Sequence, residues 1–502
     1  MLKSYKILFS KQSIAYKICV ALLALFILSA TMRFSVHPSG GHTFRQADTI
    51  GMCIAFAEEL KTRGLQGFDF LLYPRLLQKG LLDGINATEF PLLDVLGGFF
   101  FLGGNPWLGV MCTSLLILAL NLWAGFIFLP RFLKFWNVEI PNILGVTLWL
   151  CGGSVAAQTT AIMPEGLAFP LIIMGMVLFL ENGKTERIIK GVSSSKLMLG
   201  TLLCSLGMAV KPTTLIGMGA ILPILLFSKT FHNRRTLLLL LIATSLAFPA
   251  WWYTVHARYV ISFAQGPQIV PLAHLDPLGK LYEAGLAGIK NLLSREALYG
   301  EGQFPIYFGW FFIAAALAIK EYLLAFFYLI ALIATISLDG EHLYQHAYYF
   351  IGAAAFSFPL MARVLGALQK YTLSRNIAIA LIFWGLLYET RTNIWIWARD
   401  SQMGTQNLWA LGTQARKIIP PTDHLVTEDG SYPQKMIFIG RSGTKMVNLP
   451  FEICNNSKYS RIPLTLVTDA PPPSPEFKCG GRSTSTITVN GSAASWYLTH
   501  TE

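Results

Sequence analysis

The chain of 502 residues is longer than a single soluble domain usually runs. Hydrophobic residues make up 53% of it and charged residues 13%, against roughly 25% charged in ordinary soluble domains, which excludes a water-soluble globular protein. The net charge of +12 does not mark a nucleic-acid binder, because most lysines and arginines sit in short connectors between apolar runs, as in cytoplasmic loops.

In chain order, "ICVALLALFILSATM" follows a start carrying Lys3, Lys6, Lys11 and Lys17. A cleaved leader also begins with a basic stretch and an apolar core. No clear small-x-small cleavage site closes this run, however, and many apolar segments follow, so the reading is a first membrane helix entered from the cytoplasm. A spanning helix needs about 20 mostly apolar residues. Further spans are expected near 106–130, 141–159, 164–181, 197–210, 213–228, 236–255, 304–319, 321–337, 347–363 and 375–393. The pair 197–210 and 213–228 is short and is broken by "VKPTT", where proline cannot continue the hydrogen-bond ladder.

With about 11 transmembrane helices, the connectors "PRFLKFWNVE", "ENGKTERIIKGVSSSK", "SKTFHNRR" and "RVLGALQKYTLSR" fall on one side, and all are net basic. The opposite side receives the stretch 36–90, the loop 256–303, "LDGEHLYQH" and the tail 394–502. "PLLDVLGGFFFLGG" (91–104) is too short to span and carries Asp94, so it reads as a helix near the membrane surface or leading into the second span. "DTIGMCIAFAEELKTR" (48–63) has the spacing of an interfacial helix.

After residue 394 the chain turns polar, with "PPPSP" punctuation and β-branched runs such as "STSTITVNG". The fold class is therefore an all-α polytopic membrane protein, with its membrane domain at 1–393. A small C-terminal α/β or β-containing soluble domain follows at 394–502. Cys53, Cys112, Cys151 and Cys204 read as small core residues, while Cys454 and Cys479 form a disulfide if the tail faces an oxidising compartment.

Ionisable groups at or just outside membrane depth are costly unless paired, which makes them functional candidates. "HTFRQADT" (42–49), "NATEFP" (86–91), "MPEG" (163–166), "VKPTT" (210–214) and "HLYQHAYY" (342–349) all thread to the non-cytoplasmic side. The pattern His42-x-x-Arg45-Gln46-x-Asp48-Thr49, then "LLYPR" (71–75) and "TEFPLL" (88–93), resembles the membrane glycosyltransferases of the GT-C fold. The resemblance extends to bacterial members of the protein O-mannosyltransferase and aminoarabinose-transferase superfamily. "MPEG", "KPT", "WWYTVHAR" and "HAYY" agree with it, over roughly residues 15–365.

What the resemblance implies is transfer of a sugar from a polyprenyl phosphate on the outer face of the cytoplasmic (inner) membrane, with Asp48 at the position of the catalytic acidic residue. The chemistry is coherent by itself. A hydroxyl or amine nucleophile needs a carboxylate in hydrogen-bond reach to take its proton. The lipid phosphate then leaves with inversion, and arginine's planar fork suits its oxygens.

Each residue also has a plainer reading. Asp48 is a favoured N-cap for a helix starting after it; Arg45 snorkels to headgroups, or pairs with phosphate or Asp48; His42 orients neighbours or binds substrate or lipid phosphate, and Gln46 is placed with it at the substrate or lipid-phosphate site. Glu89 is a loop acid or faces substrate, and Glu165 is favoured at a helix start by the dipole alone. Lys211 reaches a phosphate or the interface. His346 resembles a lipid-phosphate neighbour in the family, and Tyr349 is placed with it at the substrate or lipid-phosphate site, while Tyr348 reads as a belt aromatic. No obligatory cofactor is expected, although Asp48, Glu89 and Glu165 would make an oxygen-rich divalent-metal site if they met. The partners expected are the lipid-linked donor, a lipid, glycan or protein acceptor, and membrane lipids. A transporter or flippase of lipid-linked substrates is the alternative, and it would more naturally show paired halves with matching broken helices.

Overall fold

The computed structural model describes residues 13–39, 43–75, 89–151, 154–183, 192–228, 231, 235–262, 313–339, 350–368, 372–402, 404–428, 434–446, 454, 462–474, 477–479, 481–491 and 494–501. The longer helices among them are α1 (Ile14–Phe34), α2 (Thr43–Arg63), α3 (Leu92–Phe101), α4 (Pro106–Trp123), α5 (Asn142–Cys151), α6 (Pro164–Gly183) and α7 (Val192–Val210). They continue with α8 (Arg235–Trp251), α9 (Tyr322–Asp339), α10 (Ala354–Leu368), α11 (Thr372–Gln402), α12 (Thr405–Ile418) and the short α13 (Gln434–Ile439). Among the described residues, four helical stretches are long and apolar enough to cross a membrane: Ile14–Phe34, Pro106–Phe135, Pro164–Asn182 and Arg235–Ile261. Other apolar helices are shorter, so beyond these four the threading by spans rests on segments that helix length alone does not establish.

Two compact units divide the chain, and both are discontinuous. Unit 1 holds Met1–Thr31, Leu116–His256 and Val270–Ile394; unit 2 holds Met32–Leu115, Ala257–Ile269 and Trp395–Glu502. The linear division at 393/394 thus falls inside α11, which runs unbroken to Gln402.

Within unit 1, α6 and α7 form a tight antiparallel pair. A Cβ on Gly175 would lie 2.8 Å from the Gly200 carbonyl oxygen and 2.6 Å from the Cys204 sulfur, so only the bare backbone allows this approach. Asn121 ties three helices together. Its amide donates to the carbonyls of Ile117 (2.9 Å) and Gly166 (2.7 Å), and its oxygen accepts from the Trp149 indole at 3.1 Å. A buried amide so fully used is worth keeping, because an unpaired one costs about 1–3 kcal/mol.

Unit 2 ends in a mixed sheet of β1 (His424–Glu428), β2 (Gly443–Met446), β3 (Leu464–Thr468), β4 (Lys478–Cys479), β5 (Arg482–Asn490) and β6 (Ser495–Thr501). The strand order is β2-β1-β3-β6-β5-β4. β1 runs parallel to β2 and β3, and the pairs β3–β6, β6–β5 and β5–β4 are antiparallel. The "STSTITVN" run lies in β5, as its β-branched alternation predicts. Cys454 and Cys479 are bonded across 25 residues, and both are buried against Val426, Leu464 and Leu466. A loop of that length is worth about 3 kcal/mol when closed. A Cys454→Ser/Cys479→Ser variant is expected to lose that much stability in the tail, seen as faster limited proteolysis of residues 404–501 at unchanged cleavage elsewhere.

Candidate functional site

The "RQADT" motif lies inside α2, which opens at Thr43. Asp48 therefore sits in the second turn of the helix. It is not the N-cap that its residue type suggests, and the plainer reading of this aspartate falls away. Arg45 and Asp48 are three residues apart and share a face. Thr49 donates to the Arg45 carbonyl at 3.1 Å, an in-helix bond that leaves the Arg45 and Asp48 side chains to the surroundings.

α3 packs directly on α2 through Gly97 and Gly98. Added Cβ atoms there would come within 2.7 Å of the Cys53 sulfur and 2.8 Å of the Cys53 carbonyl oxygen. This close approach brings the approach to α3 beside the first turns of α2. Glu89, just before α3, forms an ion pair with Arg45, and both side chains are largely buried. Asp94, in the first turn of α3, is 5% exposed. Burial pushes its carboxyl up to about 7, against the opposing pull of the nearby Arg45 charge and its own backbone hydrogen bond. Arg45 thus stands among Glu89, Asp94 and, one turn along, Asp48.

Because the Asp94 carboxyl is raised in the folded chain, folding favours its neutral form. The resulting stability is full below the ordinary value of 3.8 and is lost as pH rises through about 7. Asp94→Asn is expected to flatten the fall in melting temperature between pH 4 and 7.5. An unchanged slope would assign that fall to other groups.

The entry to α2 is held by a buried polar knot. Arg33 donates to the Ser39 hydroxyl (3.2 Å) and carbonyl (3.4 Å), and the Ser39 hydroxyl meets His37 Nδ1 at 3.0 Å. Gln46 donates to the Ser39 carbonyl at 2.5 Å, and the Trp409 indole of α12 donates to the His37 carbonyl at 3.0 Å. Gln46 thus ties the first turn of α2 to the segment before it. Arg75, which closes "LLYPR", pairs with Glu59 at 2.5 Å and pins that loop back onto α2.

In unit 1, the antiparallel α6–α7 pair puts the start of α6 beside the end of α7, and Glu165 meets Lys211 there. Lys211 Nζ lies 2.6 Å from Glu165 Oε1, with both side chains buried. The "KPTT" break works as sequence predicts. Proline supplies no N–H, and the Thr214 hydroxyl donates to the carbonyls of Lys211 (2.7 Å) and Gly207 (3.1 Å). The Tyr253 hydroxyl of "WWYTVHAR" caps the Ala209 carbonyl at 2.7 Å, and His256 lies against the Trp252 ring with centroids 4.4 Å apart. Lys211, read as a phosphate ligand, faces a carboxylate instead of standing alone. His42, His346, Tyr348 and Tyr349 lie outside the described residues.

No family model matches this sequence, and no curated protein sequence matches it. Solved structures do. The crystal structure of ArnT from Cupriavidus metallidurans bound to undecaprenyl phosphate superposes with a TM-score of 0.55 at 10% identity. The match covers 96% of this chain and 97% of that one. The apo crystal structure of the same protein gives a TM-score of 0.57, also at 10% identity and over the same shares. The chain has the ArnT fold.

An ArnT fold at this identity shows the architecture; the side-chain chemistry has to come from this chain's own residues. Four of those were not singled out from sequence as site residues: Asp94, Arg33, His37 and Trp409. Asp94 had a signal, an acid inside an apolar run too short to span. Trp409 and His37 are 372 residues apart, and no local pattern joins them. Among the described residues no three of His, Cys, Asp or Glu gather as a metal site. Glu89 is engaged by Arg45 and Glu165 by Lys211.

Proposed function

We propose that this protein is an inverting glycosyltransferase that moves a sugar from a polyprenyl phosphate to an acceptor. The reading places it in the cytoplasmic (inner) membrane with eleven spans and its active site on the outer face. The observation that carries it is the group of Arg45, Glu89 and Asp94, with Asp48 one helical turn from Arg45, on an ArnT-like fold, one of whose solved members holds undecaprenyl phosphate.

In this mechanism the Asp48 carboxylate takes the proton of the acceptor hydroxyl or amine as that atom attacks the anomeric carbon. The bond from the anomeric carbon to the phosphate oxygen breaks, and the phosphate leaves with the electron pair. Arg45 stabilises the departing oxygens, and Glu89 holds its guanidinium in place. Asp94, whose carboxyl burial raises to about 7, carries less negative charge against the phosphate near neutral pH than an ordinary aspartate would. His42, His346 and Tyr349 are proposed to line the lipid-phosphate side.

The Glu165–Lys211 pair is proposed to shape and brace unit 1. The buried Cys454–Cys479 disulfide supports an oxidising compartment for the tail. No obligatory metal is proposed; two of the three carboxylates that a divalent ion would use, Glu89 and Glu165, are paired with Arg45 and Lys211. The reading is tested by mass spectrometry of envelope lipids and glycans from cells lacking the gene. One sugar is expected to disappear from one acceptor and to return with the wild-type gene. An unchanged profile in cells grown where the gene is expressed would overturn the proposal.

A further inference from the structure

A second group of charges lies in unit 2, away from the Arg45 cluster. The last turn of α2, the α3–α4 turn and the α12–α13 region line a partly open cleft through Glu58, Lys61, Phe101, Pro106, Arg416 and Gly440. Its enclosed volume is about 20 Å³, room for one oxygen-sized occupant with a larger group at the mouth.

The charges in this cleft do not balance. Glu58 is its one carboxylate, and Glu58 Oε1 already accepts the Ser442 backbone N–H at 3.0 Å. Arg416 spends one arm on the carbonyls of Gly440 (3.2 Å) and Ile439 (3.5 Å), at the C-terminal end of α13. Lys61 is exposed, with no hydrogen bond or ion pair to any described residue. Burial lowers the Lys61 ammonium from its ordinary value and the Arg416 charge lowers it further, with Glu58 pulling the other way. The Arg416 guanidinium is lowered likewise by burial, against Glu58. Arg441 stands behind them, donating to the carbonyls of Pro420 (2.8 Å), Pro421 (2.7 Å) and Asp423.

The surroundings of the cleft say which anion fits it. Pro106 opens a helix long and apolar enough to cross a membrane. Phe99, Phe100, Trp107 and Leu108, on either side of the α3–α4 turn, are exposed large apolar side chains. An apolar wall beside unbalanced cations at the end of a span is the surface that a phospholipid presents its phosphate to, with its chains alongside.

We propose that Lys61 and Arg416 form a headgroup site for an anionic membrane phospholipid, one phosphate oxygen entering the cleft and the acyl chains lying against Phe100, Trp107 and Leu108. The site is separate from the sugar-transfer proposal and stands or falls without it.

The test uses the full-length protein purified in detergent, with native mass spectrometry of lipids retained after addition of phosphatidylglycerol or, as a zwitterionic control, phosphatidylcholine. Wild type is expected to retain phosphatidylglycerol in preference to phosphatidylcholine. Lys61→Glu, at an exposed position with no structural bond to lose, is expected to weaken that retention by at least about fivefold. Glu58→Gln, which keeps the oxygen that Ser442 uses, is expected to strengthen it. Equal retention by wild type and Lys61→Glu would overturn the proposal. Thermal stabilisation by inorganic phosphate at matched ionic strength, equal to that by phosphatidylglycerol, would show a free-phosphate site and overturn the lipid assignment.

Discussion

Asp48→Asn is expected to abolish sugar transfer, with turnover falling at least about a hundredfold while the melting temperature stays at the wild-type value. Both halves of this expectation follow from where Asp48 sits. The residue lies in the second turn of α2, so neither a helix cap nor a helix end depends on it. It is partly exposed, which keeps it in reach of water and of an incoming nucleophile. Asparagine keeps its shape and can still accept a hydrogen bond, but it cannot carry a proton away from the attacking atom. Asp48→Glu retains the carboxylate on a longer stem and is expected to retain part of the rate. Full activity in Asp48→Asn would remove this residue from the mechanism, and loss of folding would assign it a structural role.

The second large effect concerns unit 1 and is chiefly one of stability. Glu165→Ala leaves Lys211, 2% exposed, facing the empty place of its carboxylate 2.6 Å away. Removing one member of a buried pair strands the other charge and costs about 3–5 kcal/mol. Lys211→Ala is expected to cost a similar amount, by stranding Glu165. The double variant Glu165→Leu/Lys211→Met removes both charges and fills the volume, and it is expected to recover most of the lost stability. Thermal unfolding in detergent checks all three variants. Donor binding separates this from the phosphate-ligand reading of Lys211. If the double variant folds and still binds polyprenyl phosphate, Lys211 is a brace; if binding is lost at wild-type stability, it is a ligand.

The sequence made the local polar clusters legible and left the pairings between them hidden. "RQADT", "TEFP" and "MPEG" stand out because acids and bases are rare in a chain with 13% charged residues. The helix start was the misleading signal. Asp48 and Thr49 carry strong N-cap chemistry, yet α2 begins at Thr43, because the first turn is fixed from outside by Gln46 on the Ser39 carbonyl and Arg45 on Glu89. Such tertiary bonds outweigh a preference worth about 1 kcal/mol.

Asp94 was visible as an oddity, but its coupling to Arg45 depends on Gly97 and Gly98 letting two helices touch. Lys211 and Glu165 are 46 residues apart and meet only because α6 and α7 form a hairpin. The C-terminal region was readable as strand-bearing from β5, while the parallel placement of β1 between β2 and β3 has no local mark. The disulfide was readable as a pair of cysteines in one polar region, and the structure joins them.

One measurement bears on sugar transfer more directly than the rest. Purified protein in detergent, with no sealed compartment, is incubated with a polyprenyl-phosphate sugar and an extract of envelope acceptors, and the free polyprenyl phosphate released is quantified. An enzyme of the kind proposed releases it in step with a glycosylated product of inverted anomeric configuration, and the Asp48→Asn protein does not. An intact donor under these conditions, together with movement of the same lipid across the bilayer of reconstituted vesicles, would contradict the account and leave a transporter in its place.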